Sequence, residues 1–246
     1  MTRLFLFGLV GLVIASGICS TTRTTKGDDI YVSYTDETLS RLQGGIKCLR
    51  LRDLASYGNF GLGKPEGKGG VIILDGIAYA VNEDGGVERM KHDMNMPAAA
   101  VKFFRADKRV FMTRPLTLAG LEAYLDSLMQ KQGPAAVKVQ GRFAWMKYRN
   151  FRTEDGVSVF PERRTFERQS VRGAMVGFYE KEERSNRKGS GYHFHFIDRN
   201  RTTAGVVDGC VLKDVYIEID YAQEPMESKA DSLRPQPYPL ANILAH

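Results

Sequence analysis

The chain has 246 residues, 43% of them hydrophobic and 26% charged, with a formal net charge of +6 at pH 7. Those values describe a globular protein of one large or two small domains with an ordinary core, and they exclude a disordered chain. The positive charge is dispersed: Arg163, Arg164, Arg168 and Arg172 are interleaved with Glu162 and Glu167. A nucleic-acid binder would show a one-sign stripe with aromatics instead.

Residues 1–19 differ from the rest. Arg3 supplies a basic start, residues 4–15 are an unbroken apolar run, and small residues follow at Ser16, Gly17 and Ser20. The run is short for a bilayer span and reads as a secretory signal, with Ala15-Ser16-Gly17 as the cleavage region. The protein is therefore expected to be exported, to a periplasm or the medium, and to touch the membrane only through this signal. Cys19 follows the bulky Ile18, which argues against a lipid anchor. Removal of the signal leaves Cys48 and Cys210, either as one disulfide or as two buried thiols.

Residues 20–29 are polar and read as a flexible segment, and residues 30–34 as a first strand. Residues 39–42 are apolar and end at Gly44-Gly45. Residues 49–57 suggest a short helix stopping at Gly58 in a left-handed C-cap. The glycine-rich stretch 58–70 reads as a loop that needs positive φ or close backbone approach, without the spacing of a phosphate-binding loop. Residues 71–81 read as a hairpin turned at Asp75-Gly76, and 98–104 as another strand. Leu118, Leu121, Leu125 and Leu128 share one helical face, which predicts a helix over 116–130 closed by Gly133-Pro134. Residues 135–139 and 143–147 read as two strands paired around Gln140-Gly141. Later strands fall at 171–179, 192–197 and 211–219, before a proline-rich tail from 231. Strands outnumber helices without βα alternation, so the fold class is α+β, strand-dominated, with antiparallel pairing.

The stretch Gly191-Tyr192-His193-Phe194-His195-Phe196-Ile197-Asp198 has the period-2 pattern of a strand. It sets His193 and His195 on one face and Tyr192, Phe194 and Phe196 on the other. Two imidazoles roughly 6–7 Å apart along a strand can converge on one metal ion or one small polar ligand, or can be hydrogen-bonded inside a sheet. His92 sits in a polar turn between Lys91 and Asp93, with no role assigned.

Several landmarks recur in order: Ile30-Tyr31-Val32-Ser33, Gly58-Asn59-Phe60-Gly61-Leu62-Gly63, Leu74-Asp75-Gly76, Phe103-Phe104, Gly141-Arg142-Phe143, Lys147-Tyr148-Arg149, Val171-Arg172-Gly173-Ala174-Met175-Val176-Gly177-Phe178 and Gly191-Tyr192-His193-Phe194-His195-Phe196-Ile197. In this order the chain resembles the acetolactate decarboxylase family over about residues 30–220. The resemblance implies a two-domain architecture: an N-terminal sheet domain over 30–134, a C-terminal barrel-like sheet over 135–230 carrying the His-x-His strand, and the tail 231–246. It also implies decarboxylation of 2-acetolactate to acetoin at a zinc centre, and it suggests a homodimer.

Within that resemblance, His193 and His195 match the first two zinc ligands and Arg149 matches the substrate-binding arginine. The pattern departs at three places. Val206 stands where the third zinc histidine is expected, Gly70 stands where the active-site glutamate is expected, and the tail has no carboxylate side chain after Asp231. Asp208 and Cys210 share Val206's side of a regular strand and are candidate replacements, as are Glu66 and His246. Asp208 needs a bulge at Gly205 or Gly209 to reach the site. The sequence thus carries two functions forward: an exported lyase with a remodelled zinc site, or a non-catalytic member that binds a small hydroxy or keto acid or serves as an envelope interaction protein.

Overall fold

The structure is a computed structural model and describes residues 30–34, 49–65, 69–82, 84–96, 98–129, 133–150, 164–179, 191–222 and 225–227. The signal segment, Cys48, Glu66, the tail and His246 lie outside the described residues. The strands are β1 (Ile30–Tyr34), β2 (Leu49–Arg50), β3 (Phe60–Lys64), β4 (Gly70–Leu74), β5 (Ile77–Val81), β6 (Val87–Arg89), β7 (Asn95–Met96), β8 (Ala98–Lys102), β9 (Lys108–Met112), β10 (Leu116–Thr117), β11 (Ala135–Arg149), β12 (Thr165–Tyr179), β13 (Tyr192–Asp198), β14 (Ala204–Tyr221) and β15 (Pro225–Glu227). Helices occupy Leu51–Leu54 and Leu118–Met129. No helix among the described residues is long and apolar enough to cross a membrane. The α+β, strand-dominated class holds.

Seven strands form one sheet in the order β15-β1-β8-β3-β4-β5-β6. All its pairings are antiparallel except β1 with β15. The β4–β5 hairpin turns at Asp75 (φ 53°) and Gly76 (φ 79°), two left-handed residues of the kind a tight hairpin needs. The glycine-rich stretch expected as a loop is instead largely β3. A Cβ on Gly61 would strike the Ala100 carbonyl oxygen and lie 2.8 Å from Val101 Cγ1, so glycine lets β3 lie close against β8. Gly58 does not take the expected left-handed cap either. A Cβ there would come within 2.5 Å of the Lys102 nitrogen.

The second sheet is organised around β14, whose 18 residues pair with β11 along one edge. Its other edge pairs in succession with β13, β10 and β9. Because β12 joins β11 to β13, the hydrogen-bonded path β14-β11-β12-β13 returns to β14. The two strands expected around Gln140-Gly141 are one strand of 15 residues. Gly141 (φ 154°) lies within it, and a Cβ there would come 2.7 Å from Val215 Cα.

Alternation gives this sheet two apolar faces. Phe143, Met146, Tyr148, Met175, Phe194, Phe196 and Leu212 form one core with Leu121, Leu125 and Met129 of the longer helix. That helix begins two residues later than its leucine pattern suggests, because Leu116 and Thr117 pair with β14. On the opposite face, Ala174, Val176, Phe178, Ile197 and Val206 pack against Phe60, Leu62, Ile72, Leu74 and Val81 of the seven-stranded sheet. A buried ion pair, Lys102 Nζ to Asp220 Oδ1 at 3.2 Å, ties the two sheets together.

Candidate functional site

His193 and His195 lie where the sequence pattern puts them, on the face of β13 opposite Tyr192, Phe194 and Phe196, whose side chains join the other core. That face carries Ile197 and packs toward the seven-stranded sheet. His195 is buried and His193 half-buried. Their Nε2 atoms are 2.7 Å apart and their rings are inclined at 70°, so one Nε2–H donates to the other Nε2. The His195 imidazole is pushed well below the ordinary histidine range, first by burial and then by His193 and Arg149. Desolvation disfavours the cation, and a neighbouring guanidinium adds to it. His195 is therefore neutral at pH 7.

Arg149 reaches this site from a third strand. Val206 of β14 pairs with His195 on one side and with Arg149 on the other, giving a row Arg149, Val206, His195 across β11, β14 and β13. The row depends on close backbone packing: a Cβ on Gly205 would strike the Arg149 carbonyl oxygen and come 2.8 Å from Tyr148 Cδ2. Arg149 Nε donates to Asp208 Oδ1 at 3.0 Å.

The replacements suggested by the sequence divide. The register between β11 and β14 slips between Lys147 and Tyr148, which pair with Gly209 and Val207, so Asp208 is the extra residue of a bulge. Its carboxylate is spent on Arg149. The same bulge reverses the alternation, and Cys210 falls into the opposite core with Met146 and Leu212. There burial, with help from Glu122, pushes its thiol up to about 12. Cys210 is therefore no ligand candidate. Gly70 is buried and opens β4 opposite Val81. Alternation sets it on the face of Ile72 and Leu74, toward the second sheet, where it contributes no side chain. Glu66 and His246 lie outside the described residues. The Arg149–Asp208 pair was missed in the sequence; the Asp-Gly at 208–209 was its only local signal.

Two imidazoles bound to one tetrahedral zinc at 2.0–2.1 Å have nitrogens roughly 3.3 Å apart, so the pair needs only a small opening to accept an ion as two donors. A catalytic zinc centre takes three protein ligands and an open position. Among the described residues no group of three His, Cys, Asp or Glu side chains is placed to hold a metal, and buried Val206, the cross-strand partner of His195, offers no donor atom. The described donor set does not make a catalytic zinc centre.

The alpha-acetolactate decarboxylase family model matches residues 34–229. An alpha-acetolactate decarboxylase of Methanosarcina mazei is 33% identical over 186 residues, covering 72% of this chain and only 63% of that relative's length. The Bacillus subtilis alpha-acetolactate decarboxylase is 26% identical over 213 residues, covering 83% of this chain and 84% of the relative. A crystal structure of the enzyme from Bacillus subtilis strain 168 superposes with a TM-score of 0.69 at 25% identity, over 81% of this chain and 88% of that one. The match runs from the end of β1 through β15 and includes the histidine strand and Arg149, so the chain belongs to the alpha-acetolactate decarboxylase family.

Proposed function

We propose that the protein is an exported acetolactate decarboxylase-like lyase that takes 2-acetolactate, or a 2-hydroxy-3-oxo acid of that shape, between the histidine pair and Arg149. The observation that supports this most is the row Arg149, Val206, His195, with His193 hydrogen-bonded to His195. The Nε edge of Arg149 is held by Asp208, which fixes the guanidinium plane and turns its Nη edge to the substrate carboxylate. Loss of CO2 leaves the bonding pair on the adjacent ketone as an enediolate. Imidazole N–H groups in a dry site stabilise that oxyanion, and one proton delivered to carbon completes acetoin. With Gly70 in place of an acid, the proton donor in this reading is the more exposed imidazole, His193.

Buried Val206 and Gly70 favour a second reading, in which the site keeps the acid without turning it over. One experiment separates the two. Acetoin release from acetolactate is measured against the spontaneous background for the exported chain, its His193→Ala variant and its Arg149→Gln variant, with and without added zinc. A rate above background that both substitutions remove supports the lyase. A background rate combined with calorimetric binding of an unreactive hydroxy acid, lost in Arg149→Gln, supports the second reading. Neither turnover nor binding refutes both.

A further inference from the structure

Beyond the histidine pair, the second sheet carries a cavity of about 460 Å³ lined by Arg142, Arg172, Arg199 and Arg201, with Gln140 and Asp214. It lies along the same ladder but apart from the candidate site. His195 pairs with Val176, and Arg172 is four residues from Val176, roughly 13 Å along the strand. The backbone brings the guanidiniums together. Arg142 and Arg172 are directly opposed across β11 and β12, and the Arg199 N–H donates to the Arg172 carbonyl at 2.8 Å. Arg201 is fixed at the rim by its contact with the Asp198 carbonyl at 3.2 Å and by the Tyr79 ring 5.4 Å away.

Like charges set opposite each other destabilise a sheet, and Asp214, opposite Arg142 on β14 and lining the same cavity, sets one carboxylate against four guanidiniums. None of the four arginines lies within ion-pair distance of a described carboxylate. Elsewhere in the same sheet cations are paired, as in Lys138 with Glu218 and Arg109 with Glu218. Four guanidiniums facing one concavity form a fork-shaped donor array suited to carboxylate and phosphate oxygens, and the volume suits a small molecule.

We propose that this cavity is a second ligand site, for a small polyanion bearing two or more phosphate or carboxylate groups, separate from the histidine site. The ligand would bridge Arg142 and Arg172 from β11 and β12 to Arg199 in the turn between β13 and β14.

The test is calorimetric titration of the full chain with pyrophosphate and, separately, with citrate at low ionic strength. The same titrations are run on Arg142→Gln/Arg172→Gln, on Arg199→Gln and on Arg109→Gln as a control for general charge. The expected result is saturable binding of at least one probe at one site per chain. Loss of a charge-assisted hydrogen bond should weaken it by at least about tenfold in the double variant, with Arg109→Gln unchanged. Binding of pyrophosphate alone would assign phosphates, of citrate alone carboxylates, and of both a polyanion site of either chemistry. If the double variant does not fold, Arg199→Gln carries the same test. Absence of binding by both probes, or equal weakening by Arg109→Gln, overturns the proposal. Acetoin assays do not enter it, so it stands or falls apart from the lyase reading.

Discussion

Val206→His would set a third imidazole beside the histidine pair. Val206 is 3% exposed and is the direct cross-strand partner of His195, so a side chain there starts about 5 Å from His195 at the Cβ level. Structural zinc sites release about 10–16 kcal/mol through four ligands, or about 3 kcal/mol for each. A third imidazole beside two that already converge should therefore tighten zinc binding by about 100-fold. Without metal, the substitution buries a polar ring in an apolar cluster, at about 1–3 kcal/mol. The assay is equilibrium competition for zinc against a chromophoric chelator, with urea denaturation of both proteins with and without metal. The expected result is a variant less stable than wild type without zinc and more stable with it. Equal zinc affinity of the two proteins would refute the idea that a side chain at position 206 converges with the histidine pair.

Lys102→Met leaves the buried Asp220 carboxylate without its cation and should cost about 3–5 kcal/mol in urea denaturation. Adding Asp220→Leu should recover much of that, and a double variant as unstable as the single one would contradict the pairing. Cys210 links stability to alkaline pH. Its thiol is raised from 9.0 to about 12, so between those values the folded state keeps a proton that the unfolded chain loses. Its stabilisation is complete below pH 9 and fades as pH rises. Wild type should lose up to about 1.4 kcal/mol per pH unit more than Cys210→Ala over this window. Iodoacetamide should label Cys210 at pH 8 only after denaturant is added, and rapid labelling of the native protein would place the thiol elsewhere.

The histidine strand was legible because a strand's alternation is local: every second side chain shares a face whatever the rest of the fold does. The Asp75-Gly76 hairpin was legible because its turn demands residues that tolerate positive φ. β3 was not, because glycine spacing that signals a loop also serves a strand pressed against a neighbour, and the partners on β8 lie 34 or more residues away in sequence. The run through Gln140-Gly141 was misread for a related reason. A glycine between apolar runs marks a hairpin turn or a bend within one strand, and the distant Asp214 and Val215 decide it here. The face of Cys210 was lost to one extra residue, since the bulge at Asp208 inverts the alternation after it. Each error concerns contacts between distant parts of the chain. The arginine cavity escaped for the same reason, because its four arginines come from three separate segments whose charges look dispersed when read in order.

The position of the imidazole pair on the face where the two sheets pack ties occupancy to global unfolding. An occupant held by both imidazoles and Arg149 binds the folded protein and not the unfolded chain, so its binding free energy adds to the work of unfolding the whole protein. At a concentration 100 times its dissociation constant, such a ligand adds about 2.7 kcal/mol. In a protein of this size that raises the midpoint by about 5–10 °C. A simple melting curve can therefore rank hydroxy and keto acids by affinity, whether or not the protein turns any of them over.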